Sequence, residues 1–204
     1  MTFVLGLTGS IGMGKSATSA MFRAFGVPVH DADACVHGLY SGAAAPLIEA
    51  EFPGTVREGK VDRAALGERI FGHPERLKAL EGIVHPLVRA EEAAFLARAL
   101  LARSSCAVLD IPLLFETGGD SRCDAVVVVT APAEVQRARV LSRPGMTAER
   151  FDAILAKQMP DAEKRGRAHF LVDTGRGFVP AQAQVADIVR ALAARPGRSR
   201  PHPV

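Results

Sequence analysis

Eight consecutive residues, Gly9-Ser10-Ile11-Gly12-Met13-Gly14-Lys15-Ser16, satisfy the pattern G-x-x-x-x-G-K-[ST] in full. The chemistry such a string supports is the grip of a triphosphate. Glycines let the backbone wrap closely enough for successive N–H groups to point at phosphate oxygens. Lys15 carries a point charge toward the β- and γ-phosphates, and the Ser16 hydroxyl can ligate the Mg²⁺ that accompanies them. With average residue usage, the four fixed positions coincide by chance in about one chain in a hundred of this length, so the surroundings decide. Phe3 to Leu7 is a short apolar run suited to a buried strand. Behind the loop, Lys15 to Phe25 is helix-compatible, with Met21, Phe22 and Phe25 at helical spacing and Gly26 as its stop. Strand, loop, helix is the setting in which a helix dipole faces bound phosphate.

Carboxylates and guanidiniums follow the later apolar runs. Asp31-Ala32-Asp33 comes after Val27 to His30. A carboxylate there can orient or deprotonate a hydroxyl attacking the γ-phosphate, although a D-x-D also suits the N-cap of a following helix. Asp110 closes Val108-Leu109-Asp110, the form of a strand-end aspartate that holds Mg²⁺ directly or through water. Next stands Ile111-Pro112-Leu113-Leu114-Phe115-Glu116, apolar with one terminal acid, which by itself reads equally as core packing. Arg137, Arg139 and Arg143 lie on or just past a helix after the fourth apolar run. Residues 139 and 143 share one face if that helix continues so far, where guanidiniums offset the charge of a moving phosphoryl group. The histidines, among them His30, His37, His73, His85 and His169, have no metal-site spacing.

These groups need a scaffold. Val27 to His30, Cys106 to Asp110, Ala125 to Thr130 and Phe170 to Asp173 read as four further buried strands. Val126 to Val129 is apolar without alternation, as in a parallel sheet covered on both faces. Helical patterns between them predict an α/β fold with a doubly wound, five-stranded parallel sheet, which binds ligands at the carboxyl ends of its strands. Two stretches interrupt the alternation. Between Asp33 and Ser105 no strand is evident, and breakers at Gly54, Gly72-His73-Pro74 and His85-Pro86 cut the segment into several helices, with Pro74 and Pro86 in first turns. Residues 34–104 therefore read as a helical acceptor-binding lobe. Residues 143–167 carry a Pro-Gly turn, a helix started by Thr147, and the cations Arg143, Arg150, Lys157, Lys164, Arg165 and Arg167, a composition suited to a lid over phosphates. The nucleotide-binding core is left with residues 1–33, 105–142 and 168–194.

Composition narrows the function classes. The chain has 204 residues, 48% of them hydrophobic, enough for one sizeable core, and no apolar run of membrane-spanning length. It starts its first strand almost at once, with no targeting leader. Three cysteines, Cys35, Cys106 and Cys123, without metal-ligand spacing read as free thiols in a reducing cytoplasm. The net charge of +3 equals the three arginines of residues 195–204, a Pro-rich stretch that reads as a disordered end. Charge therefore points to no nucleic-acid partner, and a chain with no Trp and one Tyr offers no stacking platform. A GTP switch protein is disfavoured as well, because guanine recognition by an Asn-Lys-x-Asp string is impossible in a chain without asparagine. Another small-metabolite kinase of the same fold, of nucleoside monophosphate or shikimate type, stays open at this point.

Taken together the strings resemble the dephospho-CoA kinase family, from Leu5 to about Ala194. They comprise Gly6 through Ser16, Asp31-Ala32-Asp33 with His37 four residues on, Gly59-Lys60-Val61-Asp62-Arg63, His85-Pro86, Asp110 through Glu116, Gln158, and Ala168 to Gly175, all in the expected order. The resemblance implies a P-loop NTPase fold of nucleotide core, helical lobe and lid. It also implies transfer of the γ-phosphoryl of ATP, with Mg²⁺, to the ribose 3′-hydroxyl of dephospho-CoA, in a cytoplasmic monomer or weak homo-oligomer. Carried onto these positions, the nucleotide contacts are Gly9 through Ala17 with Arg143. Asp33 is the general base, Lys15 and Arg139 act on the phosphates, Ser16 and Asp110 hold the metal, and Asp33, His37, Arg63, His85, Leu114 and Glu116 bind the acceptor. Two positions depart from the family pattern: His169 stands where an acid is usual, and Thr174 where an asparagine is usual, near the adenine pocket.

Overall fold

The computed structural model describes residues 1–197, so residues 198–204 of the expected disordered end lie outside the described residues. In chain order the elements are β1 (Phe3–Thr8), α1 (Lys15–Ala24), β2 (Val29–Asp31), α2 (Ala32–Leu39), α3 (Ala44–Glu51), β3 (Val56–Arg57), β4 (Lys60–Val61), α4 (Arg63–Ile70) and α5 (Pro74–Leu101). They continue with β5 (Cys106–Asp110), a 3₁₀ turn over Gly119–Arg122, β6 (Ala125–Thr130), α6 (Ala133–Leu141), α7 (Ala148–Leu155), α8 (Asp161–Gly166), β7 (Phe170–Asp173) and α9 (Phe178–Leu192). Two compact units result: residues 1–30 with 98–197, and residues 31–97.

The first unit is built on the five-stranded sheet, in the order β2-β5-β1-β6-β7, with β1–β5, β1–β6 and β6–β7 parallel. Every residue of β1 is buried. Gly6 is there because a Cβ would come within 2.8 Å of both Cys123 Sγ and Leu114 Cδ2. The β-branched run of β6 is buried as well, each valine contributing about 1.5–3 kcal/mol by leaving water. Register between β1 and β6 is pinned by Asp124, whose carboxylate accepts from the Val4 N–H at 2.7 Å while its own N–H donates to Val4 O. α1 brings Met21 and Phe22 to this core, and α9 brings Ala181, Val185, Ile188 and Leu192, one face at helical spacing. No helix of the described residues is long and apolar enough to cross a membrane. None of the three cysteines forms a disulfide among the described residues, and burial, with Asp124 adding to it, pushes the Cys106 thiol up to about 12.

The second unit has its own core of Leu39, Ala45, Ile48, Phe52, Val61, Leu66, Leu80 and Val84. Two features differ from expectation. First, β3 and β4 form an antiparallel hairpin where no strand was expected. Strands of two residues are too short to show a period. The signal was in the turn, where Glu58 (φ 50°) and Gly59 (φ 75°) both take the positive φ a two-residue hairpin loop demands. Glu49 braces the entry to this hairpin by accepting from the N–H groups of Gly54, Thr55 and Val56 at 2.7–3.1 Å, the Gly54 bond first among the causes that hold its carboxyl below the usual range. Second, α5 runs unbroken through His85-Pro86. An interior proline costs about 3 kcal/mol. Here the crowded carbonyl belongs to Gly82, around which a Cβ would meet nothing. Leu80, Ile83, Val84, Leu87 and Val88, on both sides of the proline, all pack into one cluster, so burial outweighs the lost bond.

Candidate active site

The loop between β1 and α1 presents a row of donors. Thr18 N–H is the first of α1 to find a carbonyl, that of Gly14. The N–H groups of Gly12, Gly14, Lys15, Ser16 and Ala17 bond to no acceptor among the described residues. Gly12 (φ 80°) and Gly14 (φ 94°) take backbone conformations other residues rarely adopt. At Gly12 a Cβ would also lie 2.5 Å from Val140 Cγ2, and at Gly14 3.0 Å from Thr174 Oγ1. The loop is gripped from behind by side chains. Gln136 Nε2 donates to Ile11 O at 2.7 Å, Gln158 Oε1 accepts from Ile11 N–H at 3.1 Å, and Thr174 Oγ1 donates to Met13 O at 2.7 Å. A concave set of unpaired amides at a helix N-terminus binds an anion.

Lys15 Nζ sits 2.6 Å from Asp110 Oδ1, with the lysine side chain 16% and the aspartate 2% exposed. The cation of the loop and the carboxylate at the end of β5 thus balance each other. Ser16, in the first turn of α1, is exposed. Among the described residues no three His, Cys, Asp or Glu side chains cluster as a metal site. One carboxylate and one hydroxyl are a hard oxygen set. Such a set suits Mg²⁺, which keeps several waters and takes its other ligands from phosphates. It does not suit a metal that needs a full protein cage.

The D-x-D pair divides its work. Asp31 is the N-cap of α2, its Oδ1 accepting from Ala34 N–H at 3.0 Å, whereas Asp33 lies in the first turn, exposed. His37 (α2), Arg63 (α4) and His85 (α5) are exposed residues of the second unit. Burial pushes the Tyr40 phenol up, and Arg63 opposes that shift. Leu114, expected among the acceptor contacts, is fully buried, with its side chain beside Gly6 and Gly119. The two arginines do not share a helical face, because α6 ends at Leu141. Arg143 is exposed beyond it, while Arg139 donates from Nη1 to Thr174 Oγ1 and from Nη2 to Thr174 O, both at 2.8 Å.

Four of the six cations of residues 143–167 are already engaged. Arg150 donates to Gly145 O at 2.7 Å, Arg165 pairs with Asp161, and Arg167 pairs with Asp120 while lying over the Phe115 ring. Lys164 is fully buried, 2.8 Å from Glu116 Oε1, which also accepts from Met159 N–H. Residues 158–167 are thereby fastened to the core, leaving Arg143 and Lys157 exposed and free of ion pairs among the described residues. Glu116, expected among acceptor contacts, also ties residues 159–164 to the segment after β5. Its burial raises its pKa, but the Lys164 ammonium and the Met159 N–H outweigh that and hold the carboxyl below the usual range. A folded-state pKa below the unfolded one stabilises above the ordinary value of about 4.3, and the gain is lost as pH falls through the depressed value. Glu116→Gln leaves Lys164 buried beside a neutral amide, so it should cost about 3 kcal/mol near neutrality, the lower end for a buried pair. The gap in urea midpoint between this variant and the wild type should hold down to about pH 4.3 and close only as pH falls further, through the depressed value of Glu116. A gap independent of pH would show that the ion pair is not its source.

His169 accepts from Val126 N–H through Nδ1 at 3.2 Å and donates its own N–H to Val126 O. It prolongs the pairing of β6 with β7 at the end of the strands away from the loop, so this departure does not touch the nucleotide end. Thr174, by contrast, touches the loop itself. Gln136 escapes sequence reasoning, as does the bond that Thr174 makes to the loop, because their partners there are backbone atoms more than a hundred residues away.

The family model described as dephospho-CoA kinase matches residues 3–178. A dephospho-CoA kinase of Mesorhizobium japonicum is 64% identical over 194 residues, 95% of this chain and 98% of that one. Among solved structures, one from Thermus thermophilus has a TM-score of 0.79 at 37% identity, covering 93% of this chain and 97% of its own. The dephospho-CoA kinase of Campylobacter jejuni has a TM-score of 0.63 at 25% identity, covering 94% and 97%.

Proposed function

The chain belongs to the dephospho-CoA kinase family, and from that membership we infer that it transfers the γ-phosphoryl of ATP to the ribose 3′-hydroxyl of dephospho-CoA, giving coenzyme A and ADP. The observation that carries the reading is the row of five unpaired amides at residues 12 and 14–17, beside Lys15, in a chain matched over residues 3–178. The amides cradle the phosphates. Lys15 leaves Asp110 for the β- and γ-phosphates, and Ser16 and Asp110 would hold Mg²⁺, which would supply neutralisation of the phosphate charge. Arg143 meets phosphate from residues 143–157, the part of the expected lid that packs on α6 through Phe151 and the Arg137–Asp152 pair and keeps Arg143 and Lys157 exposed. Asp33 is the general base, with His37, Arg63 and His85 as acceptor contacts in the second unit. The enzyme works in the cytoplasm as a monomer or weak homo-oligomer, without a nucleic-acid partner.

ADP release from Mg-ATP against a panel of hydroxyl acceptors tests this function. Turnover confined to dephospho-CoA supports it, and turnover only with a nucleoside monophosphate or shikimate overturns it. For the lid, amide hydrogen exchange over residues 143–157 should slow at saturating ATP while residues 158–167 change little. Equal protection with and without nucleotide would make the whole stretch a static hairpin.

A further inference from the structure

We propose that Thr174, held in place by Arg139, is a positioning residue that aims the Gly14 amide into the phosphate cradle. The inference rests on the reading of residues 9–17 as the nucleotide site and assigns work to two side chains behind it.

A threonine hydroxyl has one hydrogen and two acceptor sites, and a guanidinium has donors only. Arg139 Nη1 occupies an acceptor site of Thr174 Oγ1 at 2.8 Å. The hydroxyl hydrogen must therefore go to a carbonyl, and the near one is Met13 O at 2.7 Å, against 3.4 Å for Thr130 O. The second arm of the fork, Nη2 on Thr174 O at 2.8 Å, fixes the residue's main chain as well. Donation into the hydroxyl also strengthens the bond it makes onward. At the loop, the peptide joining Met13 to Gly14 is planar and trans, so its C=O and N–H point in opposite directions. With Met13 O drawn to Thr174, the Gly14 N–H is turned to the other side, where it meets no acceptor among the described residues. Gln136 does the same for the Ile11–Gly12 amide, holding Ile11 O and turning out Gly12 N–H. Thr174 is buried and closes the space beside Gly14, where a Cβ would come within 3.0–3.3 Å of its side chain. Arg139 is thus bound on the far side of the loop's backbone, in place of the direct phosphate contact expected for it.

ADP affinity measured by calorimetry, which needs no acceptor, reads this out directly. Thr174→Val keeps the shape and removes the hydroxyl, and should weaken ADP binding roughly tenfold, the scale of one hydrogen bond to a charged group. Thr174→Ser restores the hydroxyl and should bind within about twofold of wild type. Arg139→Leu should weaken binding comparably, and the Thr174→Val/Arg139→Leu double variant no further than the weaker single, since both act through one amide. In turnover, KM for ATP should rise while KM for dephospho-CoA holds, a split that general loosening of the fold does not produce. Losses that multiply in the double variant would put Arg139 on the nucleotide itself and overturn the proposal, as would wild-type affinity in Thr174→Val. Should Thr174→Val not fold, Thr174→Ala removes the same hydroxyl without a new methyl beside Gly14 and carries the same two outcomes. A wild-type chain that fails to bind ADP would instead sink the nucleotide-site reading.

Discussion

Lys15→Ala should lower phosphoryl transfer to dephospho-CoA by at least about 10²–10³-fold, the range for removing one group that meets developing charge in a preorganised site. The substitution also acts on the fold. Lys15 is 2.6 Å from Asp110, a carboxylate only 2% exposed. Removing the lysine takes one cation from a buried carboxylate, and breaking a buried pair from one side is costly, up to about 3–5 kcal/mol. A loss of activity alone is therefore ambiguous. Adding Asp110→Asn removes the carboxylate charge, so Lys15→Ala/Asp110→Asn should recover much of the unfolding midpoint and none of the rate. A double variant that regains turnover along with stability would mean that Lys15 serves the fold and not the phosphates. Near-normal turnover in Lys15→Ala would remove it from the mechanism altogether.

The loop and the sheet were legible because their physics is local. Residues 9–16 carry the turn, the charge and the hydroxyl in one string, and Val126 to Val129 announce burial on both faces without any partner being known. What sequence could not give were bonds made across the fold. Glu116 and Lys164 are 48 positions apart, and nothing in either string says that one neutralises the other. Lys164 therefore read as a lid cation, though it is fully buried. Nor does the string around Arg139 announce its hydrogen bonds to a threonine 35 residues on, since a guanidinium on a helix looks alike whether it faces a ligand or a side chain. Pro86 misled in the other direction. Local preference marked a helix start, and packing of Leu80, Val84 and Leu87 in one cluster overrode it. Asp31 and Asp33 were separable only once the cap was seen, because either could have filled it.

That separation sharpens the remaining assignment. Asp33→Asn should lower kcat by roughly 10²–10⁴-fold, the contribution of a general base, with little change in KM for ATP. Asp33 lies two residues past β2, and ligands gather at the carboxyl ends of such strands. Because the transition state of phosphoryl transfer is loose, a carboxylate in the proposed role would mainly orient the ribose hydroxyl and take its proton late. The asparagine keeps the shape and one acceptor oxygen but cannot take that proton. The competing account was a helix cap, for which asparagine serves as well as aspartate. Asp31 already fills that position, with Ala34 N–H on its Oδ1. Asp33 contributes to α2 only as a negative charge in the first turn, worth about 0.3–1 kcal/mol of stability, which is far too little to move kcat a hundredfold at temperatures where the protein is folded. The two aspartates should therefore respond in opposite ways. Asp31→Asn preserves the cap and should keep kcat near wild type, and Asp31→Ala should lower stability by about 1 kcal/mol. If Asp33→Asn holds kcat within about threefold of wild type, the proton must leave by another route.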